Sequence, residues 1–474
     1  MNSFMALAPL LIIVGAALLV LLLDAFLKRE NKNYLGFLSL VFVIACGVVG
    51  FKFWNKDYSY FNKTLALDNL TLFFFFIFLI AVSFIILISL KYISLQDANY
   101  GEYYALLLLA LSGMMIMVSS ADFLVIFLGL EVLSVSSYAL AGLRRKDEKS
   151  SEAAIKYFLL GSFASAFLVF GLALLFGTIH STNIFSITSS INSGPELMAL
   201  SGLGLVIIGF GFKIAVVPFH MWTPDVYEGA PTPVTAFFSI GPKAAGFAVF
   251  LKIFLSYWGR GLNSRAIFTI LWVIAVLTMV VGNLIALRQK NVKRILAYSS
   301  IAHAGYLLVA ILAQDNASLV FYLLVYLFMN IGAFAAVIAL SKKDKEYLEL
   351  EDYAGIGFKY PWIGAAFSVF LLSLAGFPPT GGFLAKFYVF SAAVRQGLVP
   401  LVIIGVLASL ISVFYYLRIV VYMYMREASA EVDIHLDDPA LYLVLFLCLY
   451  GVLQLGLFPG NLLIFIKQAV SSLL

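Results

Sequence analysis

The sequence predicts an all-α polytopic membrane protein of about fourteen transmembrane helices, built around two inverted five-helix repeats that each contain a proline-broken helix. Three observations predict it: an extreme apolar composition, a regular succession of apolar runs with basic residues in alternate gaps, and two matched Pro/Gly interruptions.

Of the 474 residues, 63% are hydrophobic and 12% charged, and the mean hydropathy is +1.03. That balance excludes a soluble globular domain, because there is too little polar surface to face water. A spanning helix takes ~20 apolar residues, so the chain is filled by spans and short loops. The net charge of +5 does not signal nucleic acid, since the basic residues are scattered through short gaps and form no continuous patch. Cys46 and Cys448 each lie inside an apolar run without a partner at metal-ligand spacing, which argues against a disulfide or a metal site.

In chain order the apolar runs are 4–27, 34–54, 70–90, 103–118, 123–143, 153–178 and 197–217, then 233–257, 267–287, 295–313, 319–340, 362–390, 399–425 and 441–463. The first has its charges, Lys28, Arg29 and Lys32, after the apolar stretch, the reverse of a cleaved signal. Counting charges across alternate gaps puts seventeen Lys/Arg on one side, including Arg144, Arg145, Lys149, Lys293 and Arg294, and eight on the other, including Lys252 and Arg395. By the positive-inside rule the first side is cytoplasmic and both termini lie outside.

Four parts follow: an N-terminal three-helix segment (1–102), a first five-helix repeat (103–257), a second (266–425) and a C-terminal helix (441–474). Five crossings is an odd number, so successive units have opposite orientation. The fourth run of each repeat is interrupted, at Val217-Pro218-Phe219-His220 and at Gly376-Phe377-Pro378-Pro379-Thr380-Gly381-Gly382. Proline removes an N–H and displaces a carbonyl, freeing backbone groups that only a protein-lined or wet cavity satisfies.

Five basic residues fall within apolar runs: Lys156, Lys213, Lys243, Lys386 and Arg418. Glu131 lies nine residues past Asp122, the expected cap, hence ~13 Å deep, beyond reach of water by snorkelling. An intramembrane acid of this kind is a functional candidate by default. Lys156 has Glu152 four residues before it, so an ordinary surface pair competes with a link to Glu131. Lys213 precedes Pro218, Lys243 follows Pro242 and Lys386 follows the second break, so all three sit beside loosened backbone. His303 is similarly deep; a lone histidine is either a satisfied core residue or a relay. His220 lies at the first break with neither reading preferred, and Arg418 reads as structural. Burial lowers a lysine pKa and a nearby carboxylate raises it, so each buried lysine is a charge switch. Glu131, Lys156, Lys213, Lys243, His303 and Lys386 are therefore the expected proton-transfer residues.

Three stretches, Val217 to Val234, Arg294 to Tyr306 and Gly382 to Tyr388, resemble the antiporter-like membrane subunits of respiratory complex I and of Mrp-type cation/proton antiporters. The first is most similar to the N-type branch, and a lysine rather than a glutamate at position 386 agrees. The resemblance implies that Glu131 and Lys213 form a pair, that Lys243 is the central link and that Lys386 belongs to the second broken helix. It also implies a multi-pass protein of the cell inner membrane, working with other membrane subunits, antiporter-like homologues among them, with lipid and protons and without nucleic acid. No cofactor is expected in this chain; NADH, FMN, iron–sulfur clusters and quinone would belong to partner subunits. An Mrp-type antiporter subunit and a structural membrane spacer are the competing readings.

Overall fold

The computed structural model describes residues 7–61, 64–96, 98, 100–186, 196–259, 265–342, 346–427 and 438–471. The first half runs through α1 (Ala8–Asp24), α2 (Asn33–Phe51), α3 (Asn69–Leu95), α4 (Glu102–Ser119), α5 (Phe123–Ala141), α6 (Glu148–Ile179), α7 (Glu196–Lys213), the short α8 (Thr223–Gly229) and α9 (Thr232–Gly259). The second half holds α10 (Arg265–Ala286), α11 (Val292–Leu312), α12 (Asn316–Ala339), α13 (Pro361–Ala375), α14 (Gly381–Arg395), α15 (Val399–Met425), α16 (Pro439–Leu457) and α17 (Gly460–Ser471).

Among the described residues, eleven helices are long and apolar enough to cross a membrane, and α1, α7 and α13 are shorter apolar helices. Acidic and amide residues mark the starts. Asp68, Asp122, Asp147, Asn291 and Asp315 each accept from a backbone N–H in the first turn of α3, α5, α6, α11 and α12, satisfying donors that a helix start leaves orphaned.

Helices α9 and α11 are buried along their whole membrane-length windows, and α12 nearly so; they are the axle of the bundle, with α9 packed on α3 and α12. By contrast α1, α2, α6 and α15 carry one inward stripe and send large side chains outward, such as Phe158, Phe163, Phe167 and Phe170 of α6. A one-sided apolar exterior of this kind fits lipid rather than water. Close crossings use glycine: a Cβ on Gly171 of α6 would come 2.7 Å from the Gly202 carbonyl of α7, so bare backbones meet there.

Three expectations need correction. The gap before α3 holds an antiparallel hairpin, β1 (Tyr58–Tyr60) with β2 (Leu65–Leu67), too short in each strand to show against the flanking apolar runs. The run 441–463 is divided, because Pro459 follows the end of α16 at Leu457 and α17 starts afresh. Lys252 and Lys293, counted above as loop charges, lie within α9 and α11 and are buried.

Candidate functional site

The two helix breaks set out the site. After α7 the chain turns through a cis Val217-Pro218 bond. The backbone groups set loose there find partners: the Val217 N–H donates to Thr278 Oγ1 at 3.0 Å, and Trp222 Nε1 donates to the Phe212 carbonyl at 3.0 Å. Lys213, the last residue of α7, is 4% exposed. Its Nζ donates to Ser134 Oγ at 3.0 Å and approaches Tyr157 Oη at 3.5 Å. Ser134 stands one turn beyond Glu131 on α5, on the same face.

Glu131 is half-buried and accepts from Ser165 Oγ of α6 at 2.5 Å. Among the described residues it makes no ion pair within 4 Å, so the expected direct contact with Lys213 is absent there.

Lys156 does not join Glu131. It lies nine residues, ~13 Å of helix, before Ser165, and its half-exposed ammonium pairs with Glu152 at 2.5 Å and Asp225 at 2.6 Å. Asp225 also meets Arg294 at 2.9 Å, and Glu228 bridges Arg294 and Lys149 at 2.9 and 2.8 Å. The stretch Trp222 to Glu228 is thus the hub of an ion-pair lattice tying α6, α8 and α11 on the basic face.

In mid-bundle, Lys243 follows Pro242 within α9 and is 1% exposed. Its Nζ donates to both the carbonyl and the hydroxyl of Ser300, the latter at 2.5 Å, and lies 5.7 Å from the Tyr326 ring. His303, on α11 one turn from Ser300, is 1% exposed. Its Nδ1 meets Tyr322 Oη at 2.7 Å and its Nε2 meets Tyr416 Oη at 3.4 Å. Tyr416 is hydrogen-bonded in turn to Ser299.

At the second break, Lys386 of α14 donates to the Leu374 and Ala375 carbonyls at 2.9 Å each and to Ser409 Oγ at 2.8 Å. Its three donors are all used, and two of the acceptors are the C-terminal carbonyls of α13, the negative end of that helix. The Tyr306 ring lies 5.1 Å away, and a mostly apolar cavity of about 740 Å³ adjoins the ammonium.

Lys243, His303 and Lys386 are therefore brought into one polar interior, with Tyr326 and Tyr306 beside the histidine ring at 5.0 and 5.6 Å. Beside Lys213 lie aromatic rings instead: Tyr157 stacks on Trp222 at 4.4 Å and meets Phe238 at 5.4 Å. Arg418 caps the end of α10 through the Leu287 and Gln289 carbonyls. His220 is half-buried, its Nδ1 without a hydrogen-bond partner among the described residues.

Four residues escaped the sequence reading. Lys252 is buried and donates to the Val118 and Ser120 carbonyls at the C-terminal end of α4. Lys293 is 0% exposed and donates to the Ala230 carbonyl at 2.6 Å. Glu346 is a buried carboxylate touched by Arg144, Tyr92 and Thr232, and Tyr322 closes on His303. Lys293 stands seven residues before Ser300, on the same face of α11, and that spacing was the available signal.

Residues 120–412 match the family model described as NADH:quinone oxidoreductase/Mrp antiporter, TM. Among curated relatives, NADH-quinone oxidoreductase subunit N of Trichlorobacter lovleyi is 46% identical, covering 97% of this chain and 95% of its own. A chain of respiratory complex I from Thermus thermophilus superposes with a TM-score of 0.83 at 34% identity, covering 96% of this chain and 98% of that one. A chain of the Mrp complex from a Dietzia species gives a TM-score of 0.83 at 19% identity, over 99% and 97% of the two chains, which shows a shared fold. With full-length coverage on both sides, the chain belongs to the subunit N family of NADH-quinone oxidoreductases, within the wider NADH:quinone oxidoreductase/Mrp antiporter membrane family.

Proposed function

We propose that this chain, a proton-translocating antiporter-like membrane subunit of a NADH-quinone oxidoreductase, moves its protons along Glu131, Lys213, Lys243, His303 and Lys386. One observation carries the reading: three buried ionisable groups, Lys243, His303 and Lys386, share an interior lined with hydroxyls, and Lys386 also holds the carbonyls that end α13 at the second break. Lysines suit the task because one unit charge ~7 Å away at an effective dielectric of ~20 shifts a neighbour by ~2.4 kcal/mol, enough to reset its proton affinity. Lys156 is better read as a lattice residue that holds α8, and hence the first break, in place.

Eleven long apolar helices with three shorter ones, α1, α7 and α13, support fourteen crossings. The sequence of three helices, one broken pair and a fifth helix occurs twice, as α4 to α9 and α10 to α15, and supports two inverted repeats. The basic face is then cytoplasmic and the termini external, in the cell inner membrane. This subunit of a multi-subunit translocase holds no redox centre in our reading; NADH, FMN, iron–sulfur and quinone chemistry lies in partner subunits, and antiporter-like homologues are its neighbours in the membrane. The identity to subunit N relatives favours this over an Mrp-type antiporter.

The test is proton pumping by the reconstituted holo-complex. Lys213→Ala, Lys243→Ala and Lys386→Ala should each assemble and lower pumping by ~100-fold, the scale of a lost proton-transfer group. Wild-type pumping in all three would leave only a structural spacer.

A further inference from the structure

Lys293 is fully buried near the basic face, outside the axis just described. Its ion pairing is loose. Glu346 accepts from Arg144 at 2.9 Å and stands 3.9 Å from Lys293 Nζ, and Arg144 also meets Asp147 at 3.6 Å, so among the described residues the one carboxylate within 4 Å of Lys293 is held more closely by Arg144. Tyr92 of α3 and Thr232 of α9 also donate to that carboxylate. Burial pushes the Glu346 pKa up, but Lys293, Arg144 and these hydroxyls outweigh it and hold the group down at about 2. Glu346 stays ionised and Arg144 stays charged. Lys293 is left as the group whose proton can come and go.

Its position points inward. Lys293 Nζ is bound to the Ala230 carbonyl at the foot of α8. Three residues earlier on that element, Tyr227 Oη meets Ser300 Oγ at 3.3 Å, and Ser300 receives the Lys243 ammonium at 2.5 Å. Lys293 and Ser300 face the same way on α11, two turns or ~10 Å apart. We propose that Lys293 is a proton-loading residue on the basic face, with Glu346 as its fixed counter-ion, and that it feeds Lys243 through the Tyr227 and Ser300 hydroxyls.

In the transfer an N–H bond of the Lys293 ammonium breaks and its proton passes, by water-bridged hops, to Tyr227. The Tyr227 proton moves to Ser300 and the Ser300 proton to the free amine of Lys243. Water at the basic face then reprotonates Lys293. No electron changes hands.

The proposal rests on the proton-carrying reading above, and the variants separate the two. Lys293→Arg keeps the charge and the donors but cannot release a proton. In the assembled holo-complex it should lower pumping roughly tenfold or more, as Lys293→Ala does. A merely structural Lys293 would be rescued by arginine, so wild-type pumping in Lys293→Arg overturns the proposal. The paired change Tyr227→Phe with Ser300→Ala removes the hydroxyls while keeping the lysine, and should lower pumping similarly; unchanged pumping overturns the route even where a Lys293 variant fails to assemble. If Lys243→Ala also pumps normally, the axis itself is wrong; if Lys243→Ala is dead and Lys293→Arg normal, only the loading step falls.

Discussion

Ser165 on α6 donates its hydroxyl to the Glu131 carboxylate on α5 at 2.5 Å, so the intramembrane acid is held by a neutral donor on the neighbouring helix. A hydrogen bond to a charged group contributes ~1.5–3 kcal/mol. Ser165→Ala should therefore leave Glu131 in place but misdirected, lowering pumping of the reconstituted complex about tenfold, while Glu131→Gln, which removes the charge, lowers it further. Equal pumping in Ser165→Ala and wild type would show that this contact does not position Glu131.

At the second break, two glycines carry different loads. A Cβ on Gly382 would come 1.8 Å from the Ser373 carbonyl oxygen, and backbone cannot swing aside as a side-chain tip can. At Gly376 the φ of +90° costs an alanine ~1–2 kcal/mol, with Lys386 Cδ 3.1 Å away. Native-gel assembly should accordingly fail for Gly382→Ala, and Gly376→Ala should assemble with a melting temperature lowered by a few degrees.

The lattice on the basic face separates exposed from bridging charges. The Lys156 side chain is 40% exposed, and an exposed ion pair contributes ~0.2–1 kcal/mol. Lys156→Ala should reduce pumping less than twofold. Asp225→Asn should do more, since Asp225 joins Lys156 to Arg294 and so ties α6 to α11. Pumping as low in Lys156→Ala as in Lys213→Ala would return Lys156 to the axis.

Most of the helical plan was legible because lipid imposes one length and one polarity on every crossing, and because Asp122 and the two proline breaks mark their elements directly. Lys213, Lys243, His303 and Lys386 were visible as charges that no span tolerates without cause. Partner choice was not legible. Lys156 could be placed in a span but not on the side facing Asp225, which is 69 residues away in sequence. Glu346 looked like any loop acid, since its burial depends on Tyr92, Arg144 and Thr232, supplied by three distant parts of the chain. The hydroxyls of Tyr322 and Tyr416 around His303 were hidden among 25 tyrosines, because a helix-facing stripe of aromatics reads as packing.

Glu346 also gives the fold an acid-labile joint. Its carboxyl, held at about 2 against an ordinary 4.5, binds protons less readily folded than unfolded. The stability it contributes is present above pH ~4.5 and is lost as pH falls toward ~2. That difference corresponds to ~3 kcal/mol, shared among Lys293, Arg144, Tyr92 and Thr232. Glu346→Gln should lower the melting temperature of the detergent-solubilised complex by a constant amount above pH 5, with the gap to wild type narrowing only below about 4.5. Glu346→Asp should recover part of the loss, since the charge returns on a shorter arm. A gap that stayed the same down to pH 3 would mean that the Glu346 charge is not what joins the halves there, and that the variant merely disturbs packing.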